Sequence, residues 1–232
     1  MIVKNLVFIS GWGTNYKIWG PIADKMDRNI TFIPWWSCLT TDSCDNYLLR
    51  KISELNGSTV LVGWSLGGMI ALSAVAEKYD NISDLVLISS SSRMLIDTNY
   101  QGVNKRLIRG MKLGLKADKQ RLIKDFANMA ILPEKDELLK SKFISQAMTL
   151  DDYKLTDGLT YLQNCDLREK LPYIKVPVSI IHGELDGIMN LDNARYLDSH
   201  LPNSRLEVII GAGHFLPHLH SEIIIESIKK LI

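Results

Sequence analysis

The chain has 232 residues, of which 46% are hydrophobic and 23% are charged. A chain of this length buries enough surface to fold around one core without disulfide or metal staples. The composition excludes a disordered, collagenous or coiled-coil protein. With 27 basic and 26 acidic side chains the formal charge is +1, which argues against a molecule that binds polyanions over its whole surface.

Cysteine usage and hydropathy indicate the compartment. The three cysteines form no C-x-x-C pair and are odd in number, so a secreted disulfide scaffold is not expected. The apolar stretch near the N-terminus is too short for the core of a signal peptide. No window approaches the roughly 20 apolar residues that a membrane helix needs. We therefore expect a cytoplasmic protein without membrane insertion.

Strand-like and helix-like patterns alternate along the chain. Short runs rich in β-branched and apolar residues predict strands at 2–10, 30–34, 58–62, 83–88, 177–181 and 206–210. Apolar residues at helical spacing predict helices at 45–55, 69–79 and 221–232. Nearly continuous apolar strands separated by helices are typical of a mostly parallel sheet with helices on both faces. The predicted fold class is therefore α/β.

The segment 93–165 interrupts this alternation. It contains no convincing strand and reads as several helices, and the strand pattern resumes after it. We interpret 1–92 and 166–232 as the sheet core and 93–165 as a helical cap inserted in the same domain. Such a cap would cover the carboxyl ends of the strands, where open α/β folds bind ligands. The alternative is a helical region with no part in a binding site.

A serine lies in the turn between a predicted strand and a predicted helix. Residues 63–67 read GWSLG and fit the pattern G-x-S-x-G, with a further glycine after it. A sharp strand-to-helix turn strains the backbone of the central serine, Ser65, and projects its hydroxyl above the sheet. The following helix directs its N-terminus at the same point, which favours developing negative charge. The alternative is a glycine-rich structural turn, but both flanking elements favour a nucleophile.

A nucleophilic serine needs a base that removes its proton. His214 follows the last predicted strand in GAGHF and is the candidate base. Asp186 follows the preceding strand in HGELDG and is the candidate carboxylate that orients the histidine, with Glu184 as its local competitor. Because each candidate follows a parallel strand, we expect all three to meet at one edge of the sheet, in the chain order Ser, Asp, His.

A metal centre is the alternative interpretation of the histidines near the C-terminus. His214, His218 and His220 are closely spaced, but no cysteine or carboxylate joins them in a recognised ligand pattern. We therefore predict neither a metal site nor a cofactor.

The tetrahedral intermediate of acyl transfer needs two backbone N–H donors, which form an oxyanion hole. Leu66, the residue after the nucleophile, is one candidate donor. The loop after the first strand offers Trp12, which lies between two glycines that let the chain fold tightly, as the other. Packing of the indole is the alternative role for Trp12, and the two roles are compatible because the donor is its backbone.

With these motifs, the chain resembles the α/β-hydrolase superfamily over nearly its whole length. More narrowly, it resembles the pimeloyl-[acyl-carrier-protein] methyl ester esterases of biotin synthesis in GWG at 11–13, GWSLGG at 63–68, DLR at 166–168 and the stretch from IKVPVSIIHGELDG to GAGHF. The resemblance implies hydrolysis of a methyl ester on a pimeloyl chain held by an acyl carrier protein. It also implies that Phe126 lines the acyl channel and that Trp12 and Leu66 bind the substrate carbonyl.

The sequence departs from that family's pattern in two places. Ser10 stands where a histidine usually precedes the first glycine. The loop after the second strand reads PWWSCLTTDSC and lacks the family's Asp-x-x-Gly-x-Gly pattern. Both changes leave the three candidate catalytic residues untouched, but the shape of the pocket near Trp35 and Trp36 does not follow from the resemblance.

A basic segment lies within the predicted cap. Residues 103–124 hold eight basic side chains against one acidic side chain. Acyl carrier proteins are acidic, so the resemblance makes Lys105, Arg106, Arg109 and Lys112 candidates for docking one. A solvated amphipathic helix and a membrane-surface helix are alternatives. Nucleic acid is not the expected partner, because no nucleic-acid-binding motif accompanies the charge.

The same segment contains signals for a break in the helix. Gly110 and Gly114 lower its helix propensity, and Asp118 is a residue type that caps helix N-termini. We therefore predict two helices, with Asp118 capping the second.

Together these candidates predict a serine carboxylic-ester hydrolase that acts through an acyl-enzyme. A general carboxylesterase or thioesterase would use the same residues. A lyase or synthase of the menaquinone-pathway type can keep the same triad on this fold, so the sequence does not separate the two chemistries. A non-catalytic ligand-binding protein is the remaining alternative, and the complete triad argues against it.

Overall fold

Six parallel strands form the centre of the described chain. The computed structural model describes residues 4–26, 30–39, 44–77 and 81–232, with the backbone alone at 44–46. The strands in this part of the chain are β1 (Lys4–Ile9), β2 (Ile30–Ile33), β3 (Ser58–Trp64), β4 (Ile82–Ile88), β5 (Val178–Gly183) and β6 (Ser204–Ile209). They pair in the order β2-β1-β3-β4-β5-β6, and every pairing is parallel. The predicted α/β class with a parallel sheet is confirmed.

Helices cover the two faces of this sheet. Within the described residues they are α1 (Gly20–Ala23), α2 (Cys44–Ser53), α3 (Leu66–Ala76), α4 (Lys105–Ala130), α5 (Glu137–Thr149), α6 (Asp152–Asn164), α7 (Leu191–His200), α8 (Leu216–Leu219) and α9 (Ser221–Lys229). The chain moves outward from β1 to β2 and then back past β1 to β3, so right-handed crossovers place α1 and α2 on opposite faces. In agreement, α1 packs against α8 and α9, whereas α2 packs against α3.

The predicted elements match the observed ones to within a few residues. Residues 2 and 3 of the first predicted strand and residues 78 and 79 of the second predicted helix lie outside the described residues. A search of the described helices finds none that is both long enough and apolar enough to cross a membrane.

Both faces of the central strands are buried. Leu85, Val86 and Leu87 are consecutive residues of β4, and none of them has exposed surface. Successive side chains of a strand point to opposite faces, so burial of all three requires cover on both sides. Because all six strands run in the same direction, their carboxyl ends lie at one edge of the sheet. Ser65, Asp186 and His214 all follow strands at this edge.

The segment 93–165, which the structure describes in full, leaves the sheet after β4 and returns before β5. It contributes α4, α5 and α6, with α4 packing against both of the others, and no strand of the sheet. At its two ends Arg93 and Asp166 form an antiparallel backbone bridge and an ion pair. Arg168 binds Asp166 and Asp97, each at 2.8 Å. The division into a core and a cap stays a prediction, and its two proposed boundaries coincide with this junction.

The predicted break in the basic segment is confirmed. Asp118 interrupts α4 with an extended backbone conformation, φ −158° and ψ 85°. Its side chain Oδ1 accepts a hydrogen bond from the backbone N–H of Arg121 at 2.9 Å, which is the geometry of an N-cap. Gly110 and Gly114 remain within regular helix, so the cap residue alone marks the break.

The ion pairs at the junction make a contribution to stability that depends on pH. The Arg168 guanidinium beside Asp166 lowers the pKa of that carboxyl to about 2, although partial burial opposes the shift. A carboxyl whose pKa is lower in the folded state stabilises the fold above its unfolded pKa. That contribution is lost as the pH falls from the ordinary value of 3.8 through about 2.

We predict that Asp166→Asn lowers the thermal unfolding temperature at pH 7 and pH 5 by the same amount, and by less at pH 3. At pH 3 the unfolded chain already binds the proton, so the wild-type carboxylate contributes less. Thermal unfolding followed by circular dichroism measures the difference. Asp192→Asn, which changes an exposed carboxylate on α7, is the control. An equal difference between variant and wild type at all three pH values would contradict the prediction.

Candidate active site

Ser65 occupies the turn between β3 and α3. Its backbone has φ 56° and ψ −122°, a strained conformation for a residue with a side chain. The turn packs closely on the end of β1, because a Cβ at Gly67 would lie 2.2 Å from the carbonyl oxygen of Ile9. Glycine at this position therefore allows the loop after β1 to lie beside the serine. The strained strand-to-helix turn predicted from G-x-S-x-G is confirmed.

The structure brings Ser65, His214 and Asp186 into one chain of hydrogen bonds. His214 Nε2 lies 3.1 Å from Ser65 Oγ, and His214 Nδ1 lies 2.7 Å from Asp186 Oδ2. All three side chains are buried. With its proton on Nδ1, the imidazole donates to the carboxylate and leaves Nε2 free to accept the serine proton. The predicted meeting of these residues at one sheet edge is observed, and their catalytic roles stay a prediction.

Asp186 is held in its charged form. Burial by itself raises the pKa of this carboxyl, but the neighbouring His214 and the hydrogen bonds to the carboxylate lower the pKa below its ordinary value on balance. Oδ1 accepts hydrogen bonds from the backbone N–H groups of Ile188 and Met189, both at 2.9 Å. The competitor Glu184 is exposed and accepts from the backbone N–H of Gly211. Asp186 is therefore the carboxylate that contacts His214.

His182, which the sequence analysis did not single out, supports the loop of Asp186. It lies on β5 and is fully buried, with Nε2 2.7 Å from the carbonyl oxygen of Met189 and 3.7 Å from Asp186 Oδ2. Burial lowers the pKa of His182, which keeps the ring neutral. A neutral ring that donates from Nε2 to the carbonyl fixes the position of Met189, whose N–H binds Asp186. The signal in the sequence is its place at the end of a strand, four residues before Asp186.

Trp64 contributes a second contact that sequence analysis did not identify. Its indole Nε1 donates to the carbonyl oxygen of His214 at 3.0 Å, and its ring lies 5.3 Å from the imidazole. The residue before the nucleophile therefore holds the backbone of the candidate base. The G-x-S-x-G pattern leaves this position open, so the pattern could not have predicted the contact.

The remaining histidines take no part in this arrangement. His200 is exposed and stacks on Tyr196 with ring centroids 3.9 Å apart. His220 Nε2 lies 3.5 Å from Glu134 Oε1, and His218 is half-buried. In the portion of the chain that the structure describes, no group of three or more histidine, cysteine or acidic side chains is arranged to hold a metal ion.

The two candidate oxyanion donors lie on either side of the serine. Leu66 is the first residue of α3, so its N–H belongs to the free N-terminal end of that helix. Trp12 lies in the loop after β1 and lines the same cavity as Ser65. Its indole Nε1 donates to the carbonyl oxygen of Leu155 in α6 at 2.9 Å. The side chain thus fixes the loop from which the backbone N–H would act, and both donor roles stay predictions.

The described part of the loop after β2 supports the loop of Trp12 and does not line the cavity. Trp35 is buried and donates from Nε1 to the carbonyl oxygen of Thr14 at 3.0 Å. Ser10 is also buried, and its hydroxyl approaches the same carbonyl at 3.4 Å. Neither residue is part of the wall of the cavity at Ser65. The departures at Ser10 and Trp35 therefore alter the support of the Trp12 loop, and residues 40–43 of the second loop lie outside the described residues.

An apolar cavity extends from Ser65 between the sheet edge and α4 and α6. Its volume is about 550 Å³, including the part open to solvent. Among the described residues that line it, all except Ser65 are apolar or glycine. Phe126 lines it, as predicted, and packs edge-to-face on Trp12 with the ring centroids 5.1 Å apart. Such a wall suits an alkyl or acyl chain and offers no counterion for a charged group.

Comparison with known protein families agrees with this geometry. A family model described as the alpha/beta hydrolase fold matches residues 34–221. The chain belongs to the α/β-hydrolase family. The matched region includes the described residues Ser65, Asp186 and the loop of His214, so the predicted superfamily is confirmed.

Curated relatives of this α/β hydrolase include several esterases. A protein of Wigglesworthia glossinidia brevipalpis named pimeloyl-[acyl-carrier protein] methyl ester esterase is 32% identical over 198 residues, which cover 80% of this chain and 76% of that protein. A protein of the same name from Aliivibrio salmonicida (strain LFI1238) is 26% identical over 240 residues, covering 99% of this chain and 92% of its own length. The resemblance predicted from the sequence is confirmed.

Solved structures show the same fold. An esterase, EaEST, from Exiguobacterium antarcticum superposes with a TM-score of 0.88 at 21% identity, covering 100% of this chain and 92% of that chain. MenH from S. aureus superposes with a TM-score of 0.80 at 22% identity, covering 98% of this chain and 92% of that chain. At these identities the likeness concerns the fold alone.

The four basic side chains predicted to dock a partner differ in their surroundings in this α/β hydrolase. Lys105, Arg106 and Arg109 are exposed on the first turns of α4. Lys112 is half-buried, and its Nζ donates to the side-chain oxygen of Gln163 in α6 at 3.3 Å. Lys112 is therefore less accessible than the other three, because α6 lies against this part of α4, and the docking role of all four stays a prediction.

We predict that Asp186→Asn lowers kcat by roughly 10⁴-fold, as expected when the orienting carboxylate of a serine–histidine–carboxylate triad is neutralised. An asparagine amide can donate to Nδ1, which moves the ring proton to Nε2 and removes the acceptor for the serine proton. Hydrolysis of a p-nitrophenyl ester measures kcat. Glu184→Gln serves as the control, because that side chain binds Gly211 and does not contact His214. Equal rates for the two variants would contradict the role of Asp186.

Proposed function

We propose that this α/β hydrolase is a serine carboxylic-ester hydrolase that forms an acyl-enzyme. The observation that supports the proposal most strongly is the hydrogen-bond chain from Asp186 through His214 to Ser65 Oγ, which ends in an apolar cavity. A hydroxyl becomes a nucleophile at neutral pH only when a nearby base accepts its proton. Here the candidate base is buried, Asp186 fixes its tautomer, and the hydroxyl faces an apolar cavity.

Acylation begins when Ser65 Oγ attacks the ester carbonyl carbon and its proton passes to His214 Nε2. The imidazolium is stabilised by the carboxylate of Asp186, which stays ionised. The carbonyl oxygen takes up the negative charge of the tetrahedral intermediate, and we assign the N–H groups of Trp12 and Leu66 as its donors. Collapse of the intermediate breaks the bond to the leaving alkoxide, which receives the proton from Nε2 and departs as an alcohol.

Deacylation repeats these steps with water. His214 Nε2 accepts a proton from water, whose oxygen attacks the Ser65 ester, and the same two N–H groups bind the second tetrahedral intermediate. When the bond to Ser65 Oγ breaks, the proton returns from Nε2 to that oxygen. The acid product leaves, and the free enzyme is restored with no net change in protons on the protein.

The proposed substrate is the methyl ester of a pimeloyl chain attached to acyl carrier protein. Two curated relatives with long alignments have that activity in their names. The apolar wall of the cavity suits the methylene chain, and methyl esterification removes the one charge that the wall could not neutralise. The methyl ester would lie at Ser65, and the thioester end, with its carrier, would remain outside.

The position of the cavity mouth supports docking of a carrier. Leu107 and Met129, near the two ends of α4, both line the cavity and are 46% and 42% exposed. Arg106 is next to Leu107 in the chain, and Arg109 follows within one turn of the same helix. An acidic carrier bound to these cations would therefore place a tethered acyl chain at the opening. Lys105 belongs to the same exposed group, whereas Lys112 is bound to Gln163.

A general carboxylesterase or thioesterase would use the same triad, and the substrate tests below separate it from the narrower proposal. A lyase or synthase on this fold that acts on a polyanionic substrate would need cationic or hydrogen-bonding side chains around it. The part of the cavity wall that the structure describes offers none beyond Ser65, which favours an ester of an alkyl chain. A non-catalytic ligand-binding protein does not need the strained serine backbone or the fixed imidazole, because binding alone involves no proton transfer.

We predict that Ser65→Ala abolishes methanol release from pimeloyl-carrier methyl ester and hydrolysis of a p-nitrophenyl ester, with a loss of roughly 10⁴-fold or more. Labelling by a fluorophosphonate probe, which reacts with activated serines, should disappear with it. Ser73→Ala on α3 is the control and should retain both activities.

Retention of most of the activity by Ser65→Ala would overturn the acyl-enzyme mechanism. If the wild-type protein hydrolyses the p-nitrophenyl ester but not the carrier-linked methyl ester, the esterase proposal stands and the proposed substrate falls.

We predict that the double variant Arg106→Glu/Arg109→Glu lowers kcat/KM for the carrier-linked ester by about 10-fold or more, because electrostatic steering raises association rates by that order. The remaining activity should depend less on salt, and hydrolysis of a small p-nitrophenyl ester should not change. The matched control is Lys175→Glu/Lys230→Glu, which alters the charge equally at exposed positions away from the cavity. Equal effects of the two double variants, or of one variant on both substrates, would remove the docking proposal.

A further inference from the structure

The cap contacts the loop that holds His214. Glu134 lies between α4 and α5, and its Oε1 accepts a hydrogen bond from the backbone N–H of Gly213 at 2.8 Å. Gly213 is the residue immediately before His214. This contact links the helical segment above the site to the backbone of the candidate base.

The packing at this contact leaves no free space. A Cβ at Gly213 would lie 2.0 Å from the carbonyl oxygen of Leu132 and 2.7 Å from Glu134 Oε2. The segment between α4 and α5 therefore lies directly on the backbone of Gly213. Any displacement of this segment must break the hydrogen bond to Gly213 or move the glycine with it.

The opposite side of the same turn rests on the core. The N–H of Leu185 donates to the carbonyl oxygen of Ala212 at 2.8 Å, and Glu184 Oε2 accepts from the N–H of Gly211 at 2.9 Å. The indole Nε1 of Trp64 donates a hydrogen bond to the carbonyl oxygen of His214. The core thus fixes the turn at residues 211, 212 and 214, and the cap fixes it at residue 213.

The two carboxylate oxygens of Glu134 differ in their hydrogen bonding. Its Oε2 is buried and, among the described residues, has no hydrogen-bond partner. His220 is the nearest cation-forming side chain, with Nε2 3.5 Å from Oε1. Burying Oε2 without a partner costs stability, whereas Oε1 is satisfied by the N–H of Gly213.

We propose that Glu134 is a positioning residue that couples the seating of the cap to the position of His214. The inference rests on the proposed function in one respect, because it requires His214 to be the base. When the cap is seated, the carboxylate holds Gly213, and the imidazole is aligned with Ser65 Oγ. Displacements of about 1 Å in a reacting group reduce rates by as much as 10²-fold, so the contact controls whether the site is competent.

The test compares two variants of similar shape. Glu134→Gln keeps an oxygen that accepts from Gly213, whereas Glu134→Met fills the same space without an acceptor. We expect Glu134→Met to lower kcat for a p-nitrophenyl ester by roughly 10- to 100-fold with KM unchanged, and Glu134→Gln to retain most of kcat. The rate of fluorophosphonate labelling of Ser65, normalised to folded protein, should fall in the same order. If Glu134→Met does not fold, Glu134→Ala takes its place.

The control is Glu137→Ala, which removes an exposed carboxylate of the same segment that pairs with Lys140. Equal kcat for Glu134→Met, Glu134→Gln and Glu137→Ala would overturn the proposal. A fall in thermal stability with an unchanged labelling rate per folded molecule would also overturn it, because it would assign Glu134 a structural role alone. A wild-type protein that neither hydrolyses the ester nor reacts with the probe would instead contradict the proposed esterase function.

Discussion

The hydrogen bond between His214 and Asp186 is the contact on which the rest of the site depends. It is buried, and it decides which nitrogen of the imidazole is free to face Ser65. The hydrogen bonds around it fix the position of either Asp186 or His214. Backbone N–H groups and the neutral ring of His182 fix the carboxylate, while the Trp64 indole fixes the backbone of the histidine. A parallel sheet makes this possible, because it delivers the ends of β3, β5 and β6 to one edge.

The sheet with its loops and the helical segment 93–165 both contribute residues to the site. The loops that follow the strands hold Ser65, Asp186 and His214, and α4 and α6 supply half of the described residues that line the cavity. The two parts meet at specific polar contacts: the Trp12 indole binds the carbonyl oxygen of Leu155, and Arg93 pairs with Asp166 where the chain leaves and re-enters the sheet. The site is therefore assembled from residues of both parts of the chain.

The sequence predicted those features that depend on local pattern and on the direction of the strands. The strands, the strained turn at Ser65, the choice of Asp186 over Glu184 and the break at Asp118 all follow from residue type and immediate context. The contacts of Lys112, Trp35 and Glu134 could not be predicted in this way, because each depends on a partner brought close only by tertiary packing. Glu134 and Gly213 are 79 residues apart, and Lys112 and Gln163 are 51 residues apart. His182 belongs to the same group, since its importance arises from burial beside a charged neighbour.

The apolar wall of the cavity has a consequence for the end of the proposed catalytic cycle. The proposed substrate enters as an uncharged ester, but its hydrolysis creates a carboxylate beside a wall whose described residues include no counterion. A newly formed anion in such surroundings gains solvation by moving into water. The affinity of the enzyme for the acid product should therefore be lower than its affinity for the ester. The same wall discourages an acid from returning. Weak binding of the acid would therefore limit inhibition of the enzyme by its own product.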